Sequence, residues 1–481
     1  MPDTPTLTRS AQLRQELGYP VLDGDGHVVE LLPVLFDFIR DNGGEKLLTG
    51  MLSRRRTFED LSLEERRAGG IIPHSWHVPA NTNYYATVTS PKRYHDRLGE
   101  AGIDFAVIYP TMGISLLQLH DEEQRVGLCR LYNEFMADQF GPYQDTFTVA
   151  ACIPMHTPEE GIASLEHAKS LGAKVGMIPS HVHRAIPGRP ELSEPDEYSD
   201  VRVTEWETRG WWDTFGLDSK YDYDPFWAKA IELGIPVAGH TAGQGASDRA
   251  SVSNFVYNQA GHFAASGAAL AKSLFLGGVL SRFPDLRVAI LEGGAAPGAE
   301  SLVTLAGNYD KRGGSAIEDL DPTKLDGELL YELLVEADPR LAKYSQDQLA
   351  GRAGAGMKHA VDNYAAANVS SVDDIVRQWN TGFAWGCEAD DPFTGLAWDT
   401  RILPKRSTMP AFFASDLGHW DVSDFDEPLE EAFELVEHGI LDHDQLKEFL
   451  FLNPVKFYGA MNPDFFTDTA IEKDAKAVLG L

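Results

Sequence analysis

Eight short apolar runs alternate with helical segments along this chain, and this alternation is the strongest constraint on its fold. The runs are bounded by Gly or Pro, as strands commonly are. They lie near residues 20–25, 103–109, 147–153, 173–178, 235–239, 287–292, 381–387 and 411–415. Near-continuous apolar strands suit a parallel sheet that helices cover on both faces. We therefore predict an α/β fold, a (β/α)8 TIM-like barrel.

A doubly wound open sheet is the alternative fold for the same alternation of strands and helices. No GxGxxG motif follows an early strand, which weakens this alternative. We predict a single domain over residues 1–481, with long insertions near residues 43–95, 179–224 and 308–380. Long excursions after barrel strands often form lids or subunit contacts.

Acidic residues outnumber basic ones by 73 to 41, which gives a formal net charge of −32. A field of this sign repels phosphate groups, so we expect neither nucleic acid nor an anionic membrane as a partner. The sequence contains no run of 18 apolar residues, and its first residues lack the apolar stretch of a signal peptide. Three scattered cysteines suit neither a disulfide framework nor a zinc knuckle. We expect a cytoplasmic protein.

Acidic and imidazole side chains stand where four of the predicted strands end. Asp25 and His27 belong to the first strand, His240 to the fifth, Glu292 to the sixth and Asp416 to the eighth. The carboxyl ends of barrel strands meet at one face, so these side chains should converge there. Carboxylates and imidazoles together are typical ligands of a divalent metal ion. The pattern therefore indicates a metal centre and favours an enzyme over a binding module.

Other side chains are candidates for the same region. Glu30, three residues after His27, could turn back toward the metal centre. His181 and His183 form a pair after the fourth strand, and with Arg184 they could hold a substrate carboxylate, because Arg presents a planar fork to it. Trp212 could line an apolar pocket for the substrate, or could pack within its own insertion. His419 and Asp421 follow closely after the eighth strand, and Glu388 and Asp390 could orient ligands.

Six segments resemble, in order, the amidohydrolase-related family of the amidohydrolase superfamily. They are DGDGHVVE, DRLGEAGIDFAVIYPT, YDPFWAKAIELGIPVAGH, GHFAASGAALAKSLFLGGVLSRFPDLRVAILEGG, GCEADDP and FFASDLGHWD. The resemblance runs from about residue 20 to 460, to the branch that holds the aminocarboxymuconate-semialdehyde and resorcylate decarboxylases. It implies a distorted (β/α)8 barrel. It also implies that Asp25 and His27 are the first-strand ligand pair, His240 the fifth-strand ligand and Asp416 the eighth-strand aspartate.

The chain departs from the family pattern in ways that bear on the metal. The first pair is Asp-x-His instead of His-x-His or Glu-x-His, and Glu292 replaces the sixth-strand histidine of the decarboxylases. A carboxylate at that position can bind or bridge a second cation, for which Glu30, His262 and Glu292 are candidate ligands. No lysine ends the fourth strand, so a carbamylated-lysine bridge is not expected. The resemblance thus implies one or two divalent metal ions, with iron or manganese favoured and zinc possible.

The leading hypothesis is a metal-dependent hydrolase of a small amide, ester or thioester-like substrate, which uses metal-activated water. Asp416 would move the proton, Glu292 would hold a second metal or act as base, and His240 would complete the catalytic set. A dinuclear iron or manganese/iron oxygenase is the alternative. Nonoxidative decarboxylation is a second alternative, against which Glu292 counts. The resemblance also implies a homo-oligomer, a dimer, to which the insertion near 308–380 could contribute.

Overall fold

The structure, a computed structural model, describes residues 7–52, 61–69, 78–185, 210–240, 251–321, 324–350 and 362–481. Parts of all three predicted insertions lie outside these ranges. Within them the chain forms ten β-strands: β1 Leu22–Val28, β2 Phe105–Pro110, β3 Phe147–Cys152, β4 Val175–Pro179, β5 Val182–Ala185, β6 Gly210–Asp213, β7 Val237–His240, β8 Val288–Ile290, β9 Phe383–Cys387 and β10 Ala411–Phe413.

Helices separate most of these strands. The α-helices are Arg9–Leu17, Leu32–Gly43, Glu45–Leu52, Leu63–Gly69, Thr82–Val88, Pro91–Arg97, Met112–Leu116, Glu122–Phe140, Pro158–Ser170, Asp224–Leu233, Phe255–Gln259, His262–Leu276, Val279–Arg282, Ala296–Arg312, Gly327–Ala337, Gln346–Ala350, Val372–Gly382, Pro428–Glu437, His443–Lys447, Asn453–Met461 and Glu472–Leu479. Short 3-10 helices cover Leu98–Ala101, Gly141–Tyr143, Gly314–Leu320, Pro339–Lys343, Pro392–Trp398 and Pro404–Arg406, and a π-helical turn covers Glu448–Leu452.

Eight strands form one parallel sheet in the order β1, β2, β3, β4, β7, β8, β9 and β10. These are the eight strands that the sequence predicts, and the sheet curls into a nearly closed barrel with helices around it. The predicted (β/α)8 barrel is confirmed, and the open doubly wound sheet is wrong. Across the described residues, no helix has both the length and the apolar character needed to cross a bilayer.

The first strand is longer than predicted, and its irregularity matters for the site. Because β1 continues to Val28, Asp25 and His27 lie within the strand and not beyond its end. The pairing of β1 with β2 shifts register between Asp23 and Gly26, as at a β-bulge. Bulges re-aim side chains, and both Asp25 and His27 face the mouth of the barrel.

Backbone hydrogen bonds join β1 to the residues that follow β10. The amide of Asp416 donates to the carbonyl of Asp25 at 2.8 Å, and the amide of His27 donates to the carbonyl of Leu417 at 2.7 Å. The first and last strands are thereby held side by side. We call this contact the seam of the barrel.

A buried carboxylate reinforces the seam. Asp23 has no exposed surface, and burial raises its pKa to about 6. It accepts hydrogen bonds from the amide of Ser415 at 2.9 Å and from Ser415 Oγ at 2.5 Å. It also accepts one from the amide of Asp25 at 3.1 Å. One side chain of β1 therefore fixes the position of the segment that carries Asp416.

Two insertions are partly described. In the one near 179–224, β5 and β6 form an antiparallel ribbon that places His183 opposite Trp212. In the one near 308–380, the helix Gly327–Ala337 presents Leu329 and Leu333, each about half exposed. A subunit contact through this helix stays a prediction.

We predict that Ser415→Ala destabilises the fold by about 1–3 kcal/mol, because a buried carboxylate loses a hydroxyl donor at the seam. Urea unfolding of the two proteins, followed by circular dichroism, measures the change in the free energy of unfolding. Ser170→Ala is the matched control, since Ser170 is exposed on a helix and bonds only a nearby carbonyl. That control should change stability by no more than about 0.5 kcal/mol. Equal effects of the two substitutions would contradict the role of the seam.

Candidate metal centre

Six side chains from four barrel strands bring nitrogen and oxygen donors together at the mouth of the barrel. Their side chains are between 0% and 6% exposed, so the donors are almost completely removed from solvent. The six are Asp25 and His27 of β1, His240 of β7, Glu292 after β8, and Asp416 and His419 after β10. Five of them are predicted ligands, and the structure brings all five into one cluster.

His27 lies at the middle of the cluster. Its Nε2 atom is 3.4 Å from Asp25 Oδ1 and 3.4 Å from His240 Nε2. The same atom is 3.3 Å from Asp416 Oδ1 and 3.7 Å from Glu292 Oε1. Neighbouring ligands on one ion with bonds of about 2.1 Å are separated by roughly 3.0–3.4 Å. The donor spacing is therefore that of a coordination sphere.

His419 is the donor that the sequence identified only as a neighbour of Asp416. Its Nδ1 lies 2.7 Å from Asp416 Oδ1 and 3.7 Å from Glu292 Oε1. Its Nε2 lies 3.1 Å from the hydroxyl of Thr111, the residue after β2, which fixes the orientation of the ring. Gly418 permits this placement, because its φ of 113° lies in the region that favours glycine and a Cβ there would lie 2.9 Å from a β1 carbonyl.

Two of the carboxylates stand on strained backbone. Glu292 and Asp416 have φ values of 54° and 53°, in the left-handed region that residues other than glycine rarely adopt. Such conformations cost of the order of 1–3 kcal/mol each and cluster at functional sites. Each residue follows its strand by no more than three positions. The strained turn thus aims each carboxylate at the mouth.

The carboxylates lack the partners that buried acids usually have. Both oxygens of Asp25, both oxygens of Glu292, and Oδ1 of Asp416 receive no hydrogen bond from any residue that the structure describes. A buried carboxylate without a donor is unstable unless a cation balances it. These orphaned oxygens, beside three imidazoles, are what a divalent cation requires, so the residues present fit the metal that the family resemblance implies.

Electrostatics support the same conclusion. Burial, followed by the repulsion from Asp421 and Glu292, raises the pKa of Asp416 well above its usual value. Burial also raises the pKa of Asp25, although His240 opposes the shift. Burial and the neighbouring imidazoles lower the pKa of His27. Neutral imidazoles keep the lone pairs that bind metal, and a cation would remove the repulsion among the carboxylates.

Two more acids lie beside the centre. Burial raises the pKa of Asp421, which lies close to Asp416. Burial, together with repulsion from Asp421 and Glu292, raises the pKa of Glu388 to about 8. The mouth of the barrel therefore holds two further acids whose pKa values lie above their usual range.

Two predicted ligands are outside the donor groups that the described residues form. Glu30 accepts hydrogen bonds from the amides of Met112 at 2.9 Å and Gly113 at 3.4 Å, and from the hydroxyl of Tyr132. Its carboxylate thus accepts hydrogen bonds from amides at the start of the helix Met112–Leu116. His262 is buried at the first position of the helix His262–Leu276. Their roles as ligands stay predictions.

The predicted substrate-binding residues lie on and beside the ribbon. The ring of Trp212 is 4.1 Å from that of His181 and 5.5 Å from that of His183, centroid to centroid. Since Pro179 pairs with His240, the ribbon begins at the edge that carries the donors. The three rings stay candidates for substrate contacts.

Arg184 has a different setting from the one predicted. Its Nε donates to Asp213 Oδ2 at 3.0 Å, and its two terminal nitrogens donate to the carbonyl of His156 at 2.8 Å and to the hydroxyl of Tyr223 at 2.9 Å. These contacts anchor the ribbon to the barrel. The guanidinium therefore has an evident structural role, and a substrate role stays a prediction.

Residues 90–317 match the sequence profile of a family described as amidohydrolase. The resemblance to the amidohydrolases is confirmed. A search of curated proteins finds no match. A resemblance of this kind leaves the reaction open.

Solved structures resemble this chain at low sequence identity. An IDCase from Metarhizium anisopliae, in apo form, is 12% identical with a TM-score of 0.50, over 92% of this chain and 98% of that chain. An amidohydrolase from Mycobacterium avium subsp. paratuberculosis is 14% identical with a TM-score of 0.49, over 92% and 100%. A dihydroxybenzoic acid decarboxylase from a Polaromonas species, with bound manganese and 2-nitroresorcinol, is 15% identical with a TM-score of 0.44, over 93% and 99%. These likenesses concern the fold.

We predict that Mn²⁺ stabilises metal-free protein, because a cation neutralises the orphaned carboxylates. At a free concentration 100 times the Kd, binding should raise the free energy of unfolding by about 2.7 kcal/mol. Thermal unfolding with and without Mn²⁺ measures this effect. Asp25→Asn should lose most of the response, whereas Asp222→Asn, at an exposed aspartate, should retain it. An equal response in both variants would place the bound metal elsewhere.

Proposed function

We propose that the protein is a metal-dependent enzyme that breaks a bond to the carboxyl or carbonyl carbon of a small molecule. The observation that carries the proposal is the convergence of six buried donors, with orphaned carboxylate oxygens, at the mouth of a (β/α)8 barrel. That mouth is where enzymes of this fold place their active sites. A bound divalent cation would supply a Lewis acid that polarises a substrate oxygen and lowers the pKa of water.

Nonoxidative decarboxylation is the reaction that we place first. Loss of carbon dioxide leaves electron density on carbon, which an acid must then protonate. Asp421 and Glu388 lie beside the donor set, and burial raises the pKa of each carboxyl, so either could offer that acid. The donors are almost wholly buried, which suits a reaction that consumes no water. Decarboxylation is also the activity in the name of the Polaromonas protein, but the proposal rests on the acid and the burial.

Hydrolysis of an amide, ester or thioester is the second candidate, and Glu292 favours it. An imidazole at this position would carry no negative charge, whereas Glu292 presents two buried oxygens that accept no hydrogen bond from the described residues. A carboxylate in this state can take a proton from attacking water. Oxygenation has no observation that favours it over these two reactions.

The two reactions are separable in one assay. Metal-free protein is reconstituted with Mn²⁺ under nitrogen and given hydroxylated aromatic and unsaturated carboxylic acids, and then neutral esters, amides and thioesters. Release of carbon dioxide from an acid supports decarboxylation, and release of a new acid from a neutral substrate supports hydrolysis. Turnover that appears only in air would overturn both and select an oxygenase.

We predict that Asp416→Asn lowers kcat by about 10²–10⁴, because it removes a carboxylate of the donor set that can pass a proton at the reacting atom. Steady-state kinetics on the substrate found above measure kcat, and elemental analysis records the metal content of the same samples. Asp222→Asn is the matched control, since Asp222 is an exposed aspartate that lies outside the donor groups. A variant at position 416 that keeps its metal and retains normal kcat would exclude the proposed role.

A further inference from the structure

We infer that the helix Gly327–Ala337 is a self-association surface, on which the same helix of a second copy of this chain packs in antiparallel orientation. This helix belongs to the insertion near 308–380, away from the barrel strands that carry the metal donors. Its role as a contact between two copies is therefore independent of the proposed function.

The helix is well formed, but it buries none of its own residues. Asp326 caps it and accepts hydrogen bonds from the amides of Glu328 and Leu329, each at 3.0 Å. Its sequence, GELLYELLVEA, contains six large apolar residues, and none of them is buried. Its main contacts are with two short helices of the same insertion, Pro339–Lys343 and Gln346–Ala350. Among the described residues, this packing is too thin to remove an apolar side chain from water.

The exposed side of the helix consists of two parallel rows of side chains. The apolar row is Leu329, Leu333 and Ala337, and the acidic row beside it is Glu328, Glu332 and Glu336. Leu329 is 50% exposed and Leu333 is 53% exposed, and Leu325, just before the helix, is 51% exposed. Members of a row are four residues apart, so they lie on one face of the helix. A continuous apolar row in contact with water is typical of an interaction surface.

The spacing of the apolar row fits a second copy of the same helix. Side chains four residues apart form a ridge, and the commonest packing of two helices interdigitates two ridges of this kind. Two identical helices meet this condition with the same residues. A two-fold axis that crosses the row at Leu333 would make the helices antiparallel and would close the pair.

The distribution of charge favours the antiparallel orientation. The helix carries three glutamates and no basic residue, whereas Arg340 and Lys343 are exposed in the short helix that follows it. Arg340 forms an ion pair with Asp338, and its side chain is still 88% exposed. An antiparallel pair brings the basic end of each copy toward the acidic row of the other. A parallel pair would place the two acidic rows level with each other, so the surface is complementary to itself in one orientation.

The contact is small, and this sets its expected strength. Stable interfaces bury about 1,200–2,000 Å² in total, which is more than one pair of short helices supplies. The net charge of −32 on each copy also opposes association. We therefore expect a reversible dimer with a Kd of the order of 1–100 µM.

Sedimentation equilibrium of the full chain, from about 1 to 100 µM, tests the self-association. The mass of wild type should rise from 53.0 kDa toward twice that value as the concentration increases. Leu333→Asp should raise the Kd by about 10-fold or more, because it places a charge in the apolar row. Ile402→Asp is the matched control, since Ile402 is 52% exposed and lies outside the insertion. This control should associate as wild type does, and circular dichroism should show both variants folded.

Disulfide cross-linking tests the occupant and the orientation together. The three native cysteines are buried, so mild oxidation acts on a cysteine introduced at the surface. An antiparallel pair with its axis at Leu333 places residue 329 of one copy opposite residue 337 of the other. A mixture of Leu329→Cys and Ala337→Cys protein should therefore form a mixed dimer, more readily than Leu329→Cys protein alone. Ile402→Cys protein should stay unlinked.

Four results would overturn the inference. Wild type that stays monomeric at the highest concentration would exclude the dimer, and Leu333→Asp protein that associates like wild type would place the contact elsewhere. Leu329→Cys protein that links to itself more readily than to Ala337→Cys protein would exclude the antiparallel pair. A monomeric wild type that binds a synthetic lysine-rich amphipathic peptide at this helix would assign the surface to a different protein.

Discussion

The seam between the first strand and the segment after the last strand is the contact on which the rest of the site depends. It holds Asp25 against Asp416 and His27 against Leu417, each by one backbone hydrogen bond. The buried Asp23 stabilises it through Ser415. These partners are 392 residues apart in the chain. The donor set is therefore incomplete until both ends of the chain have met, and a partly folded chain cannot form the cluster.

Much of this structure can be predicted from the sequence, because its main signals are local. Apolar runs of five to seven residues identify the barrel strands, and an acid or imidazole at the end of such a run has to face the mouth. This reasoning finds Asp25, His27, His240, Glu292 and Asp416 without knowledge of their contacts. The same reasoning places the ribbon insertion after β4, although it does not foresee that the ribbon is a pair of strands.

The contacts that the sequence does not predict depend on distant partners. Glu30 is close to His27 in sequence, but backbone amides beyond β2 and Tyr132 hold its carboxylate. The sequence makes Arg184 a candidate to hold a substrate carboxylate. It does not predict that the guanidinium donates hydrogen bonds to Asp213 and Tyr223. His419 joins the donors through a turn at Gly418. A local sequence pattern does not predict the backbone angles of this turn. In each case the deciding contact spans tens or hundreds of residues.

The left-handed backbone at Glu292 and Asp416 affects which substitutions related sequences would accept at these positions. At both positions glycine would remove the backbone strain and increase stability, but it would delete a donor. Selection for stability and selection for the metal centre therefore act in opposite directions. A related protein that is no longer selected for activity should lose these two acids early, through substitutions that increase its stability. Both acids are present in this chain, in the conformation that favours glycine.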